Sequence, residues 1–583
     1  MTSQSAAATL TVAPGDEALE EALSAEARVL ALGEDATAGD VIATARGDYR
    51  RVLAALYDRG YFGATVSITL AGREAAALST IGDSQTVRPV AVTVALGPQY
   101  NFGTAEISPP APPRPSVVGV DPVARETGFV PGAVARTSVI QSSVAQSVDD
   151  WRAASYAKAE VVDQRIVADH RRDVLDVSVN MDPGPALSFG SLVVSGDGAV
   201  SEERVRQIAG IPRGAPFAPD TVALMRSRLV GTGTFSSVVM SEAEVPGPGD
   251  TLDILVDLTA AKPRRLGFGA EVETNKGLSL EAFWLHRNIF GGAERLRFDI
   301  DIEDIGGSGG GVDSAATASL TIPGFRRADD TLELFTGIER LRQDDFDESL
   351  FELTGKRTRA VNRELEVSAA LGVRVAQAEG TFGQRDFRHV IVSVEGIRDK
   401  RRPASNPTRG SYAALELRPF IGVAGSETGL RAEADFRGYR SFGSETVLAG
   451  RLQFGAVVGA ERAETPPQFL FYSGGGGTVR GQGYQSLGAD AGGVSSGGRG
   501  FAAASFELRR DISDALSLVG FADVGAVSED AGFNDVGSHG GAGFGLRYNT
   551  GLGPLRLDIG VPVGGSTDGD TRYGIYIGLG QSF

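Results

Sequence analysis

The sequence predicts three small α+β modules followed by a transmembrane antiparallel β-barrel, with 16 strands as the expected number. Three observations predict it. Helix and strand patterns repeat in the same order up to about residue 261. From residue 262 to the last residue, helix periodicity gives way to period-2 alternation. Glycine is abundant, at 78 of 583 residues, roughly twice the usual share. No G-x-y register runs through the chain, so collagen is excluded. The glycines suit many strands joined by tight turns.

Bulk properties narrow the classes further. A chain of 583 residues exceeds one ordinary domain. The formal charge of −18 and a pI of 4.9 argue against nucleic-acid binding, which favours a basic surface. Cysteine is absent, which removes disulfides and thiolate metal sites and is compatible with an oxidising compartment. No apolar run reaches the 18 residues that a membrane-spanning helix needs. The start, Met1-Thr-Ser-Gln-Ser, lacks the basic and apolar segments of a signal peptide. An exported chain is therefore expected to be read here without its leader.

The modules come first. Asp48–Tyr57 places Tyr49, Val52, Leu53, Leu56 and Tyr57 on one stripe, which predicts an amphipathic helix. Gly60-Tyr-Phe breaks it, and Ala64–Leu70 and Val90–Leu96 read as strands. The order recurs, with a helix at Asp149–Tyr156 and strands at Ala159–Asp163 and Val174–Val179. It recurs again with a helix at Asp220–Val230 and strands at Ser237–Met240 and Leu252–Leu258. Ser201-Glu-Glu reads as a capped helix start with acids in the first turn. The joints also match: Gly97-Pro98 leads to Phe102-Gly103, and Gly184-Pro185 leads to Phe189-Gly190, with the Phe-Gly pairs 87 residues apart. The repeat unit is helix–helix–strand–strand with a leading strand. The expected boundaries are 1–102, 103–189 and 190–261, with the barrel at 262–583.

The second part alternates strand by strand. Leu296, Phe298, Ile300 and Ile302 share one face, and charges fill the other. Leu555–Val561 repeats the pattern, as do Ala413, Leu415 and Leu417 against Glu416 and Arg418, and Leu452, Phe454 and Ala456 against Arg451 and Gln453. A soluble sandwich also alternates, but 322 residues are too many for one. The chain ends on Tyr573, Ile575, Ile577, Leu579 and Phe583, which reads as one apolar face closing on an aromatic. A membrane barrel alternates lipid-out and lumen-in with aromatics near the interfaces. At ~20 residues per strand and connection, the segment allows about 16 strands.

Several segments carry a family resemblance. Asn406-Pro-Thr-Arg-Gly410 resembles the N-P-T-R-G hairpin of Omp85-superfamily barrels, and Asn288-Ile-Phe-Gly-Gly292 the N-L-F-G segment near their start. Gly474–Gly477 followed by Thr478-Val-Arg-Gly-Gln482 resembles the tip of the long loop that folds back into the barrel. Phe521-Ala-Asp-Val-Gly525 resembles the F-x-D-x-G strand facing that tip, and Gly497-Gly498 with Glu507 and Arg509 the strand between them. Gly553–Asp558 and the ending Tyr576-Ile-Gly-Leu-Gly580 complete the set. The repeated modules resemble POTRA domains. Two positions depart from the pattern: Gln482 replaces the tip aromatic, with Tyr484 two residues on, and Gln581 replaces an apolar residue of the terminal signal. Three modules and the Ile-Gly-Leu-Gly ending make the chain most similar to the TamA type within the BamA/TamA family. The assembly factor of the BamA type typically has five modules and two-partner secretion transporters two.

The resemblance implies two sites. Arg480 and Gly481 at the loop tip would meet Phe521, Asp523 and Gly525 on the wall, the guanidinium locking the loop to the carboxylate. The plainer alternative is that the pair only stabilises the barrel. The second site is the seam between a first strand near Arg265–Thr274 and a last strand at Gly574–Phe583, where Gly574, Gly578 and Gly580 with Tyr576 and Phe583 form the terminal signal. Strand glycines weaken pairing, and an opened edge templates a client strand. Equally, the glycines suit barrel curvature.

Other readings fail. No Gly-Lys-Ser/Thr follows the glycine run. His170, His286, His389 and His539 are scattered, and no G-x-S-x-G elbow stands out. Asp299, Asp301, Glu303 and Asp304 lack Ca²⁺-loop spacing. The expectation is therefore a factor with no enzymatic activity, cofactor or metal. It would reside in the bacterial outer membrane with its modules in the periplasm. It would insert or export β-barrel and autotransporter-type clients through the seam. The alternative is a two-partner-secretion-type pore that passes its client through the lumen. Expected partners are unfolded outer-membrane proteins, the lipid bilayer and an inner-membrane TamB-like protein docking on the modules, with no nucleic acid.

Overall fold

The computed structural model describes residues 8–33, 35–79, 86–112, 128–273, 277–306, 311–343, 345–491, 494–550, 553–565, 573–581 and 583. The first module comprises β1 (Thr9–Ala13), α1 (Glu17–Glu26), α2 (Ala38–Tyr57), β2 (Thr65–Leu70), β3 (Arg73–Glu74) and β4 (Val90–Ala95). Its sheet runs β1-β4-β2-β3, with β1 parallel and β2 antiparallel to β4. Helix α2 starts ten residues earlier than the stripe from Asp48 predicts. The Thr37 hydroxyl accepts the Asp40 N–H at 3.2 Å and caps that earlier start. Val41, Ile42 and Ala45 then extend the buried face over Ile68, Val92 and Val94.

The second module holds β5 (Asn101–Ser108), α3 (Thr137–Ala153), β6 (Glu160–Asp169) and β7 (Val174–Asp182), in sheet order β5-β7-β6. Two helices are expected here; the described residues contain one, and 113–127 lie outside them. Helix α3 begins and ends earlier than Asp149–Tyr156; its end is set by Ser155, whose positive φ of 78° closes it.

The third module holds β8 (Ser188–Gly196), α4 (Glu202–Ala209), α5 (Pro219–Gly231), β9 (Phe235–Glu242) and β10 (Thr251–Ala260), in order β8-β10-β9. Ser201 sits at the expected N-cap of α4, but its hydroxyl makes no capping bond.

Helix α4 instead docks on two turns of the barrel. Arg204 donates to the Gly292 carbonyl at 3.1 and 3.2 Å and to the Pro323 carbonyl at 2.7 Å. Gln207 donates to the Gly324 carbonyl at 2.9 Å, and the Asn288 side chain donates to the Ala199 carbonyl at 2.6 Å. The Asn-Ile-Phe-Gly-Gly motif is thus a docking turn.

The remaining strands form one antiparallel sheet of 16. They are β11 (Arg264–Glu273), β12 (Gly277–Arg287), β13 (Arg295–Ile305), β14 (Asp313–Pro323), β15 (Asp330–Arg342), β16 (Phe346–Ala360), β17 (Leu365–Gly380) and β18 (Gly383–Asp399). They continue as β19 (Gly410–Gly422), β20 (Gly429–Phe442), β21 (Thr446–Val458), β24 (Gly500–Asp511), β25 (Leu516–Ser528), β26 (Val536–Thr550), β27 (Gly553–Gly564) and β28 (Gly574–Leu579). A small hairpin, β22 (Ala489–Ala491) with β23 (Val494–Ser496), lies in the loop between β21 and β24. Neighbours in sequence pair throughout the sheet, apart from that loop, and among the described residues no ladder joins β28 back to β11.

Side-chain exposure follows the predicted alternation. Phe298, Ile300, Leu415, Leu452, Phe454 and Ile559 stand on the outside. Charged pairs such as Arg297–Asp299, Arg418–Glu416 and Arg437–Asp435 line the other face. The end of the chain departs from its prediction. Strand β28 stops at Leu579 rather than Phe583, and Gly580, at φ +98°, turns the chain. The Phe583 ring leaves the lipid face and is buried beside Tyr439, with the Arg509 guanidinium 5.7 Å from its centroid. The first strand likewise runs Arg264–Glu273, and Thr274 lies outside the described residues.

The docking of α4 is testable. Arg204→Ala removes charge-assisted bonds worth about 1.5–3 kcal/mol. Amides of 199–210 are expected to exchange at least tenfold faster with deuterium, while those of β17 and β18 stay unchanged.

Candidate functional site

Alternation sets up the site before any loop reaches it. Glu507 and Arg509 on β24, Asp523 on β25, Arg547 on β26 and Asp558 on β27 are all buried on the inner face. Their sequence neighbours Leu508, Val524, Leu546, Leu557 and Ile559 are exposed on the outer one. Within strands, Arg509 pairs with Glu507 at 2.8 Å; across strands, Arg547 pairs with Asp558. Without the loop, Asp523 would thus be buried with no cationic partner among the described residues.

The loop between β21 and β24 supplies the missing cation. Gly474 and Gly475, at φ +120° and +84°, bend it toward the wall, and Thr478 closes the bend by accepting the Gly474 N–H at 2.8 Å. Arg480 is then 2 % exposed. Its Nε and Nη2 donate to the two Asp523 oxygens at 2.8 and 3.0 Å, a bidentate fork, and its backbone N–H adds a third bond at 3.1 Å. Its Nη1 reaches Glu507 at 2.7 Å and Asp558 at 3.2 Å. The guanidinium lies 3.6 Å from the Phe521 ring centroid, a cation–π contact.

Wall glycines make the space. A Cβ on Gly525 would meet Ser473 Oγ at 2.1 Å, and one on Gly541 would meet the Arg480 carbonyl at 1.9 Å. On Gly560 it would come within 2.8 Å of the Gly481 nitrogen. Gly481 itself sits at φ +93°, close to Val561. Its N–H donates to the Tyr576 hydroxyl at 2.9 Å. The tip and the last strand, separate in the sequence reading, therefore touch. Tyr576 folds over Gly574, where a Cβ would lie 2.6 Å from the hydroxyl, and Gly578 leaves room for the Arg556 guanidinium.

The departures from the motif find partners. Gln482 is buried and donates to the Gly540 and Gly564 carbonyls at 2.7 and 3.2 Å, bonding to the wall where a ring would pack. Gln581 accepts from Arg547 at 3.0 Å and donates to Asn406 of the Asn-Pro-Thr-Arg-Gly motif at 2.8 Å. Gly580 lies just beyond β28, its N–H on the Pro554 carbonyl at 2.7 Å. Glu507 and Asp558 as partners of Arg480, and Gly541 and Gly560 as its clearance, are additions to the sequence reading. Strand parity puts them on the inner face, but only the register sets their height. Asp299 pairs with Arg297, and among the described residues no group of His, Asp and Glu suited to a metal occurs.

Residues 262–583 match the Omp85 superfamily domain. The chain belongs to the Omp85 superfamily. Solved structures agree in fold. BamA from Haemophilus ducreyi lacking POTRA domains 1–3 is 17 % identical with a TM-score of 0.60, covering 82 % of this chain and 99 % of that one. CdiB from Acinetobacter baumannii is 12 % identical with a TM-score of 0.50, covering 83 % and 90 %. The fold is therefore three POTRA-like modules and an Omp85 barrel. This is a bacterial outer-membrane protein with periplasmic POTRA-like modules, from a non-enzymatic family that inserts or secretes protein clients.

Two substitutions separate charge from space at the tip. Arg480→Ala leaves three buried carboxylates without their shared cation, at a cost of about 3–5 kcal/mol. Gly541→Ala keeps every charge and pushes the Arg480 carbonyl away. Both are expected to release the tip, seen as faster protease cleavage within 474–487 in the folded, membrane-inserted protein.

Proposed function

We propose that this Omp85 protein inserts or exports β-barrel and autotransporter-type clients through its lateral seam, in the manner of the TamA type. In this reading Arg480, Gly481, Phe521, Asp523 and Gly525 form the loop-to-wall lock. The Gly481–Tyr576 hydrogen bond carries it, because it ties the locked tip to β28. That strand is only six residues long, and its far edge has no ladder to β11 among the described residues. A strand edge with unpaired N–H and C=O groups templates an incoming strand. The lock holds β24–β27 rigid while β28 exchanges its partner. Free energy comes from client folding. The three POTRA-like modules present clients and take an inner-membrane TamB-like partner.

The second reading, a pore of the two-partner-secretion type, needs an open lumen. Here the loop is anchored on opposite parts of the wall. Gln468 donates to Glu339 on β15 at 3.2 Å, while Arg480 holds the β24–β27 side. This favours the seam.

The cysteine-free chain makes the test clean. A cysteine is placed at Phe268 on β11 and another at Ile577 on β28, and the two are joined by a bis-methanethiosulfonate linker, whose disulfides are reducible. Linking is expected to cut client assembly at least tenfold, with recovery on reduction. Assembly that continues with the seam linked would transfer the function to the lumen.

A further inference from the structure

The outer face of the barrel carries a hollow of about 640 Å³ across β20, β21, β24 and β25. Its floor is Gly438, Gly450, Ala504 and Ala522. The register sets these side by side: Gly438 faces Gly450, Gly450 faces Phe506, and Phe506 faces Ala522. Phe436, Leu452, Phe506 and Val524 rise around the floor, each 44–50 % exposed. An added Cβ would meet nothing within 4 Å at Gly438, and nothing closer than 3.9 Å at Gly450. Nothing in the protein requires glycine at these positions. In a bilayer such a hollow does not stay empty, since its lining would lose dispersion contacts.

One end of the hollow is charged. Arg440 follows Gly438 on the same face of β20, about 7 Å along the strand. Its guanidinium lies 5.4 Å from the Phe442 ring centroid, and among the described residues no carboxylate pairs with it. Arg510, on the same face of β24, is neutralised by Glu445 at 2.7 Å. Strands β15 and β21 run in the same direction in the sheet, so the β20–β21 turn lies at the rim where α4 docks, the periplasmic rim.

We propose that this face binds one glycerophospholipid of the periplasmic leaflet, with an acyl chain in the Gly438–Gly450–Ala504–Ala522 hollow and its phosphate on Arg440. The site lies on the opposite face of β24 and β25 from the lock, with Ala522 and Val524 flanking Asp523 in the chain, and it does not depend on how the seam works. Apolar complementarity supplies the seat, and the uncompensated cation fixes the headgroup.

The full chain, delipidated in detergent and titrated with dioleoylphosphatidylglycerol, is read by native mass spectrometry. The wild type is expected to retain one lipid. Gly450→Leu, which fills the hollow, and Arg440→Gln are each expected to weaken retention about tenfold. Gly396→Leu is the control: it lies on the lipid face of β18, with nothing within 4 Å of an added Cβ, and should bind as wild type. Folding is checked by heat-dependent gel mobility; should Gly450→Leu not fold, Gly438→Ala takes its place. Three outcomes overturn the proposal: no retained lipid in the wild type, wild-type retention in either site variant, or equal loss in the control. A photo-crosslinker at position 438 that captures client protein instead of phospholipid also overturns it.

Discussion

A guanidinium removed from water needs its charge balanced and its five donors met by groups that cannot move away. Arg480 satisfies this requirement against three carboxylates that belong to three different strands; Glu507 and Asp558 also pair with wall arginines, while Asp523 pairs with Arg480. The dependence is mutual. Without the loop the wall would bury Asp523 unpaired, and without the wall the loop tip would bury a cation. Breaking such a set by removing one partner costs more than the set contributes when intact. The cluster is therefore better understood as fixing one geometry than as adding stability. It selects a single height for the loop, at which Gly481 reaches Tyr576.

The same division of labour runs around the barrel. Inner-face charges pair along a strand at i, i+2, as in Arg297–Asp299, Arg418–Glu416 and Arg437–Asp435. Because strand side chains alternate, i and i+2 share a face, so the pairs cost nothing in lipid exposure. The outer face is aliphatic and aromatic apart from Arg440 and Arg510 near the periplasmic rim, and it is interrupted where glycine and alanine meet across neighbouring strands. One sheet thus presents a charged surface to the loop and an apolar one to the bilayer, with a specific hollow in the second.

The chain end joins these surfaces. Gly580 turns the backbone, Gln581 bridges Arg547 and Asn406, and Phe583 packs against Tyr439 and Arg509. The last strand is thereby tied on its inner side, by Tyr576 to the loop and by the following residues to the lumen wall, while its outer edge lacks a ladder among the described residues. A short strand anchored only on one side suits exchange of strand partners.

The sequence by itself determined the alternating period of the barrel segments it singled out and an expectation of about 16 strands, and the resemblance carried by its motifs supplied the pairing candidates Arg480 and Asp523. Period and composition are local, and a run such as Leu555–Val561 can face only one way once one side meets lipid. Tertiary structure decided what depends on register and on distant chain. Parity placed Glu507, Asp558 and Gly541 on the inner face, but only the stagger of neighbouring strands brought them to the height of Arg480. The terminal aromatic read as a continuation of the Ile575–Ile577 face. It turned inward because Gly580 adopts a left-handed conformation and a buried ring and arginine wait inside, neither of which any local pattern records.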